Sequence, residues 1–415
     1  MAADFRALVR RFVEARTEGR GPALFPHLVA AGIFVAAGLS LTSGNGAAPP
    51  ANAGTAAALD TAEKLGEALF FDPILSKNKT QACATCHNPD AAFTDPRMAK
   101  EAGRAASLGD DGNSIGDRNT PTAAYARFSP AFHINAQRKP VGGFFHDGRA
   151  KTLEDQAAGP PLNPIEMGMP DKASVVARLK DDARYAAAFE ALYGKGVLDK
   201  PDRGYAALTK SIAAFERTEV FAPFDSRYDR YLRGEEKLTD EEELGRTLFF
   251  SNQFTNCALC HKLNQLGGAA NETFSNYQFH NIGTPANTSL RKVNGVKPGH
   301  IDHGLKQNPA AAKKAHDGKF KVPTLRNVTV TGPYMHNGVF NDLKTVVLFY
   351  DKYNNPSAKR QINPETGQPW DKPEVAANLS TKELKTGPGL DDKRINALVA
   401  FLRTLTDKRY EPLLK

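Results

Sequence analysis

The chain contains 415 residues, of which 41% are hydrophobic and 24% are charged. These values are ordinary for a globular protein, and the length predicts two or three domains. Four cysteines are too few for a disulfide scaffold, and a net charge of +8 without runs of Lys or Arg argues against nucleic-acid binding.

The first predicted element is an export segment over residues 1–53. Within it, residues 28–41 form an apolar run that is shorter than the roughly 20 residues of a membrane-spanning helix. An Arg-bearing stretch precedes this run, and Ala51-Asn52-Ala53 has the form of a cleavage site. We predict an exported, periplasmic protein in which this segment is a signal peptide or an uncleaved N-terminal anchor.

A sequence repeat divides the remaining chain. The pattern LG-x-x-LFF occurs at 65–71 and again at 244–250. The capping-box pairs Asp60/Glu63 and Thr239/Glu242 predict that a short helix begins just before each copy. Residues 205–218 and 391–405 have the spacing of longer amphipathic helices, and strand signals are sparse. The sequence therefore predicts a mainly α fold with two cytochrome-c-like halves, 54–236 and 237–415, separated near a charged stretch at 233–237.

All four cysteines lie in two C-x-x-C-H motifs, the attachment pattern of c-type haem. Two closely spaced thiols can bond to the two vinyl groups of one haem, and the adjacent His can then be the proximal iron ligand. A four-thiolate zinc site or a redox dithiol would leave both histidines unexplained. The sequence thus predicts two covalently attached haems, on Cys83, Cys86 and His87, and on Cys257, Cys260 and His261.

Several further motifs follow one another along the chain: RNTPT at 118–122, DGRA at 147–150, LEDQ at 153–156, NPIEMG at 163–168 and PYMHNG at 333–338. In this order they resemble the bacterial di-haem cytochrome c peroxidases and their MauG relatives. The resemblance extends from about residue 60 to residue 407. It implies that the N-terminal haem is the peroxide site and that the C-terminal haem handles electrons.

The resemblance also implies roles at the first haem. Glu166 matches the distal acid that moves a proton between the two oxygen atoms of peroxide, and Gln156 matches a residue of the same pocket. Many family members block this iron with a distal His, but the chain has no His between His87 and His133. We therefore expect a first haem that is permanently open, although His133 is an alternative blocking ligand.

For the second haem, the resemblance leaves two candidate axial ligands. Tyr350 lies 17 residues after Pro333, where MauG relatives have a tyrosine ligand and other family members a Met. A phenolate oxygen stabilises ferric and higher oxidation states, whereas a thioether favours the reduced state. We favour Tyr350, with Met335 as the alternative.

A calcium ion between the haems is also implied by the resemblance, with Asn119, Thr331 and Pro333 at the matching positions. Oxygen ligands of this kind suit a hard cation. Two positions depart from the family. His146 replaces a Trp between the haems, for which we expect a hydrogen-bonded structural role, and Thr255 replaces a Trp that MauG uses towards its protein substrate.

The favoured hypothesis is an exported di-haem c-type peroxidase that reduces hydrogen peroxide with electrons from a small cytochrome c or cupredoxin. One alternative is a MauG-like oxidase that modifies Trp or Tyr of a partner protein through a high-valent iron state. Another is a non-catalytic di-haem electron-transfer cytochrome, in which Glu166 and Gln156 would have no purpose.

Overall fold

The computed structural model describes residues 58–97, 105–263 and 271–414. The predicted export segment, residues 1–53, lies outside these ranges. In the part of the chain that is described, no helix is long and apolar enough to cross a membrane.

Short α-helices joined by long loops make up the described chain, which confirms the predicted mainly α fold. Up to residue 236 the helices are α1 Ala62–Phe71, α2 Cys83–Cys86, α3 Leu153–Ala157, α4 Lys172–Asp181, α5 Ala183–Tyr193, α6 Pro201–Glu216 and α7 Arg227–Leu232. Beyond residue 236 they are α8 Asp240–Phe250, α9 Cys257–Cys260, α10 Thr288–Val293, α11 Leu343–Asp351, α12 Thr381–Leu384 and α13 Asp392–Arg403.

Three two-stranded antiparallel sheets, each of two-residue strands, account for the strands in the described ranges. The β1–β2 hairpin also reaches the second half, where the Gly142 amide donates to the Tyr277 carbonyl at 2.9 Å. The strands are β1 His133–Ile134, β2 Pro140–Val141, β3 Phe279–His280, β4 Phe320–Lys321, β5 Ile362–Asn363 and β6 Gln368–Pro369.

The two copies of the repeat begin differently. At α8 the predicted capping box is confirmed, because Thr239 Oγ1 accepts from the Glu242 amide at 3.3 Å and Glu242 Oε2 accepts from the Thr239 amide at 2.8 Å. At α1 the predicted Asp60/Glu63 box is wrong. Thr61 caps this helix, and the Asp60 carboxylate instead pairs with Lys64 Nζ at 2.7 Å. A threonine directly after Asp60 supplies an equally good capping hydroxyl and leaves the aspartate to its i,i+4 partner.

Each LG-x-x-LFF helix crosses a long helix at its glycine. A Cβ atom on Gly66 would lie 1.8 Å from the Ser211 carbonyl oxygen of α6, and one on Gly245 would lie 1.8 Å from the Ala397 oxygen of α13. The glycine therefore lets two helix backbones touch. The repeat in the sequence corresponds to the same helix crossing in both halves.

Two large apolar cores lie behind these crossings. The first core extends from Leu65 to Ala222 and the second from Tyr228 to Leu405. The described residues belong to one compact unit that contains both cores. A division at residue 236 stays a prediction. Buried aromatic rings fill both cores, among them Phe70, Phe93 and Phe221 in the first and Phe249, Phe274 and Phe401 in the second.

Candidate haem sites

The first C-x-x-C-H motif forms a single helical turn, α2, so Cys83 and Cys86 lie on the same side of the backbone. Both are free thiols, and burial raises the pKa of each, to about 12 for Cys86. His87 Nδ1 donates to the Phe93 carbonyl at 3.1 Å, and burial lowers the pKa of its imidazole. The ring is thereby fixed as a neutral imidazole whose Nε2 points away from that bond.

The second motif repeats this arrangement on α9. Cys257 and Cys260 are free thiols on one helical turn, and His261 Nδ1 donates to the Phe274 carbonyl at 2.9 Å. Burial lowers the pKa of His261 to about 4. Metal-binding histidines typically donate a hydrogen bond from the ring nitrogen that does not bind the metal, because this bond fixes the tautomer and orientation of the ring.

These residues fit two c-type haems. Each motif offers two unpaired thiols for the thioether bonds and one neutral imidazole whose Nε2 is the remaining ligand atom. His261, Cys257 and Cys260 also line a cavity of about 380 Å³ whose wall is largely apolar, as a porphyrin requires. Neither a zinc site nor a disulfide accounts for the two oriented imidazoles.

Glu166 lies on the loop after α3, close enough to the first motif to raise the pKa of Cys86 electrostatically. The Glu166 side chain is half-buried, and this burial raises the pKa of its carboxyl group, while Arg149 and a hydrogen bond from Asn163 act in the opposite direction. A raised pKa makes it easier for one carboxyl group both to take up and to release a proton during a reaction.

Gln156, the other residue predicted for this pocket, is half-buried on α3. The Pro160 carbonyl after this helix accepts from the Met167 amide at 3.2 Å, which ties the end of α3 to the loop of Glu166. His133, the alternative blocking ligand, is exposed on β1, and its Nδ1 lies 2.8 Å from the Ala131 carbonyl.

Tyr350 and Met335, the two candidate ligands of the second haem, both line the cavity that contains His261. Tyr350 projects from α11. Its phenol pKa is raised by burial and by the nearby thiols of Cys260 and Cys257. The structure thus brings both candidates to the second motif, and the choice of Tyr350 stays a prediction.

His146 is half-buried and contacts residues of both halves, since its backbone carbonyl accepts from the Lys321 amide at 2.8 Å. Its Nε2 donates to the Asn119 carbonyl at 2.9 Å, and the Asn119 amide donates to the His336 carbonyl at 2.7 Å. Burial lowers the pKa of His146 to about 4 and that of His336 to about 3, so both rings are neutral. His336 stacks on Phe320 with ring centroids 3.5 Å apart.

The three residues predicted to bind calcium, Asn119, Thr331 and Pro333, line the same cavity as His146 and His336. The Asn119 Nδ2 atom donates to the Ala105 carbonyl at 3.3 Å, which orients this amide. Across the described residues, no group of three or more His, Cys, Asp or Glu side chains could hold a metal ion. The predicted calcium ligands, one amide oxygen and two backbone carbonyls, are of a different type.

Two features near the second motif were not expected. Thr255 is buried, and its hydroxyl donates to the Leu248 carbonyl at 2.6 Å, so the exposed residue at this edge is the preceding Phe254, 45% exposed. Tyr125 lines the cavity and donates to Asp407, which sequence reasoning missed because 282 positions separate the two residues. A single sequence carries no local signal for such a contact.

The fold and the two oriented C-x-x-C-H motifs define a di-haem c-type oxidoreductase. The family model for di-haem cytochrome c peroxidase matches residues 60–237. The chain is 57% identical to the methylamine utilization protein MauG of Paracoccus denitrificans, over 86% of this chain and 91% of that protein. It is 32% identical to a cytochrome c551 peroxidase of Nitrosomonas europaea, over 74% of this chain and 76% of the other.

Among solved structures, the di-haem peroxidase BthA of Burkholderia thailandensis is similar, with a TM-score of 0.74, 32% identity and coverage of 85% of this chain and 88% of that one. The chain belongs to the di-haem cytochrome c peroxidase and MauG family. It is therefore an oxidoreductase with two c-type haems.

Proposed function

We propose that the protein is a periplasmic peroxidase that reduces hydrogen peroxide with electrons from a small cytochrome c or cupredoxin. The observation that carries this proposal is the half-buried Glu166 beside the first motif, with its raised pKa. When bound, the haems supply iron that takes up peroxide and passes single electrons. Haem attachment outside the cytoplasm and the export segment support the periplasmic location.

Glu166 serves as the proton carrier of the reaction. Cleavage of the O–O bond requires a base that takes the proton from one oxygen and an acid that returns it to the other, and one carboxyl group can do both. Burial keeps the carboxyl pKa of Glu166 above its usual range, which brings it nearer the working pH. Gln156, anchored on α3, serves as a hydrogen-bonding neighbour of the bound peroxide.

In this proposal Tyr350 would bind the iron of the second haem through its phenol oxygen. Its phenol lines the cavity beside Cys257 and Cys260. Coordination to iron would release the phenolic proton and would remove the cost of keeping a buried phenolate without a partner. The calcium ion, held by Asn119, Thr331 and Pro333, is part of the same proposal.

A MauG-like oxidase that modifies Trp or Tyr of a partner protein is the second candidate. The 57% identity to MauG of Paracoccus denitrificans and the position of Tyr350 support it. His146 weighs against it, because a neutral imidazole is much harder to oxidise than the indole it replaces. Thr255 also weighs against it, since this buried threonine offers no aromatic ring to a partner.

Stopped-flow reaction of the di-haem protein with hydrogen peroxide, with and without reduced cytochrome c, tests the proposal. We expect peroxide consumption coupled to oxidation of two cytochrome molecules per peroxide. Oxidation of a Trp- or Tyr-bearing protein without turnover of cytochrome would favour the MauG-like activity. If peroxide is left unchanged by the protein under both conditions, the electron-transfer cytochrome is the correct alternative.

A further inference from the structure

A phenol and a carboxyl group meet in the interior between the two halves. The Tyr125 hydroxyl donates to Asp407 Oδ1 at 2.5 Å, and the two residues are 1% and 0% exposed. Tyr125 belongs to the first core and lines the cavity of the second motif, while Asp407 lies just after α13. This is a short hydrogen bond between an oxidisable ring and a proton acceptor, away from solvent.

Both partners are fixed from several sides. Asp407 Oδ2 accepts from Asn327 Nδ2 at 2.8 Å, and the Asp407 amide donates to Asn327 Oδ1 at 2.8 Å. The Tyr125 oxygen also accepts from the Phe224 amide at 3.2 Å. A proton moving between the phenol and the carboxylate therefore travels along a bond whose ends are held in place.

The pKa values of the pair keep the proton on the phenol until the ring loses an electron, and they leave the carboxylate free to accept it then. Burial raises the pKa of Asp407 to about 6, against the hydrogen bonds from Tyr125 and Asn327 and the charge of Arg326, so the carboxyl is mainly ionised at neutral pH. Burial also holds the phenol pKa of Tyr125 well above 10. Arg326 lies 5.4 Å from the Tyr125 ring, but its charge is balanced by Asp229, which accepts from Arg326 Nη1 at 2.5 Å.

Tyr125 is also linked to both haem motifs. The Phe93 carbonyl accepts from His87 Nδ1 at 3.1 Å and from the Ala123 amide at 3.2 Å, two residues before Tyr125. On its other side, Tyr125 shares the wall of one cavity with His261. A short covalent and hydrogen-bonded route thus joins the ring to His87, and the same ring faces the cavity that His261 lines.

We propose that Tyr125 is a redox-active residue that gives up one electron when the protein reacts with hydrogen peroxide, while its phenolic proton passes to Asp407. The inference rests on the proposed peroxide chemistry. Hydrogen peroxide accepts two electrons and two solvent protons, its O–O bond breaks, and two water molecules form. One electron comes from Tyr125, whose O–H bond breaks as the Asp407 O–H bond forms, and the other comes from the haem pair. Two electrons from the donor protein later restore the haem pair and the phenol, and the proton returns from Asp407 to Tyr125.

Two other buried tyrosines provide matched controls. The Tyr410 hydroxyl donates to the Pro89 carbonyl at 2.8 Å, and a peptide carbonyl cannot take up the proton at neutral pH. The Tyr185 hydroxyl donates to Asp72 Oδ2 at 2.9 Å, but the Asp72 side chain is 25% exposed and Tyr185 is not among the residues that line the cavity. Tyr410 tests whether burial of a tyrosine is sufficient for its oxidation. Tyr185 tests whether a hydrogen bond to a carboxylate is sufficient when the ring does not line the cavity.

Freeze-quench EPR of the di-haem protein mixed with hydrogen peroxide tests the inference. We expect a free-radical signal that narrows when the protein contains ring-deuterated tyrosine. Tyr125→Phe should abolish this signal, whereas Tyr410→Phe and Tyr185→Phe should retain it. Asp407→Asn keeps a hydrogen-bond acceptor but removes the base, and should slow radical formation by about 100-fold.

A tyrosyl signal that persists in Tyr125→Phe, or the absence of any tyrosyl signal while peroxide is consumed, would overturn the inference and leave the proposed function intact. Peroxide that is not consumed by the unaltered protein would contradict the proposed function itself. Should Asp407→Asn fail to fold, the unaltered protein in D₂O gives a second measurement. Slower radical formation in D₂O is expected if the phenolic proton moves with the electron, and an unchanged rate would count against its transfer to Asp407.

Discussion

Gly245 of α8 lies directly against the carbonyl oxygen of Ala397 in α13, so closely that a Cβ atom on the glycine would come within 1.8 Å of that oxygen. Such contact between two helix backbones is possible only without a side chain. Gly66 and Ser211 make the same contact in the first half. Each crossing fixes the helix that precedes a haem motif in the chain.

We predict that Gly245→Ala destabilises the protein by about 3 kcal/mol or more, because a backbone carbonyl cannot move aside as a side chain can. Thermal unfolding followed by circular dichroism and by haem absorbance measures the effect. The control is Gly116→Ala, where the nearest atom to a new Cβ would be 3.6 Å away. A Gly245→Ala protein as stable as this control would show that the two helices can separate without cost.

The repeated helices and haem motifs can be predicted from the sequence because both depend on residues that are close together in the chain. The apolar residues of LG-x-x-LFF face the core at helical spacing, and the two C-x-x-C-H motifs are continuous in the chain. Even there, the capping pattern predicts that α1 begins one residue too early, because Asp60 and Thr61 are both good capping residues. Local patterns thus predict the helices and the haem attachments but not every boundary.

Contacts between distant parts of the chain cannot be predicted from this single sequence. Tyr125 and Asp407 are 282 positions apart in the chain, and neither has a neighbouring motif that marks it. The burial of Thr255 was also missed, because a threonine beside an exposed Phe254 has no polarity pattern that reveals which side chain faces inward. Such features depend on how the halves pack together.

Replacement of Glu166 by Gln removes the proposed proton carrier but keeps the size of the side chain. We expect the rate of peroxide reduction to fall by about 100- to 10,000-fold, with the absorbance spectrum of both haems preserved. Glu154→Gln is the control, because this carboxylate only forms an ion pair with Arg217 at 2.7 Å near the surface. Steady-state oxidation of reduced cytochrome c gives both rates. A Glu166→Gln enzyme with unaltered turnover would assign the proton transfer to another group.

The axial ligand of the second haem can be identified by comparing two neighbouring tyrosines. We expect Tyr350→Phe to change the ferric absorbance and EPR spectrum of the second haem, because the ligand oxygen is lost. Tyr353→Phe should have no such effect, since the Tyr353 hydroxyl donates to the Ile282 carbonyl at 2.9 Å. If Met335→Leu changes the spectrum and Tyr350→Phe does not, the thioether is the ligand.

Glu216 predicts an unusual dependence of stability on pH. Burial raises the pKa of this carboxyl to about 8, and its Oε2 has no hydrogen-bond partner among the described residues. The native protein keeps a proton that the unfolded chain loses above pH 4.5 or so, and the free energy of unfolding therefore falls as the pH rises from about 4.5 to about 8.

Glu216→Gln should remove this contribution. Relative to the unaltered protein, the variant should gain a few kcal/mol between pH 4.5 and pH 8, because each unit of pKa shift corresponds to about 1.4 kcal/mol. Urea unfolding of the haem-bearing protein at several pH values measures the difference. Glu219→Gln, at an exposed position of the same segment, should show no such trend. A difference between Glu216→Gln and the unaltered protein that is constant with pH would mean that Glu216 is ionised in the fold.

His146 is predicted to act through the hydrogen bond from its Nε2 to the Asn119 carbonyl. His146→Phe removes this hydrogen bond to the Asn119 carbonyl, which should lower the free energy of unfolding by about 0.5–1.5 kcal/mol. His146→Gln should retain most of the stability, since a glutamine amide can donate from nearly the same position. Because Asn119 is a proposed calcium ligand, calorimetric titration should also show weaker calcium binding in His146→Phe than in His146→Gln. Equal stability and equal calcium affinity of the two variants would show that the imidazole does not hold Asn119 in place.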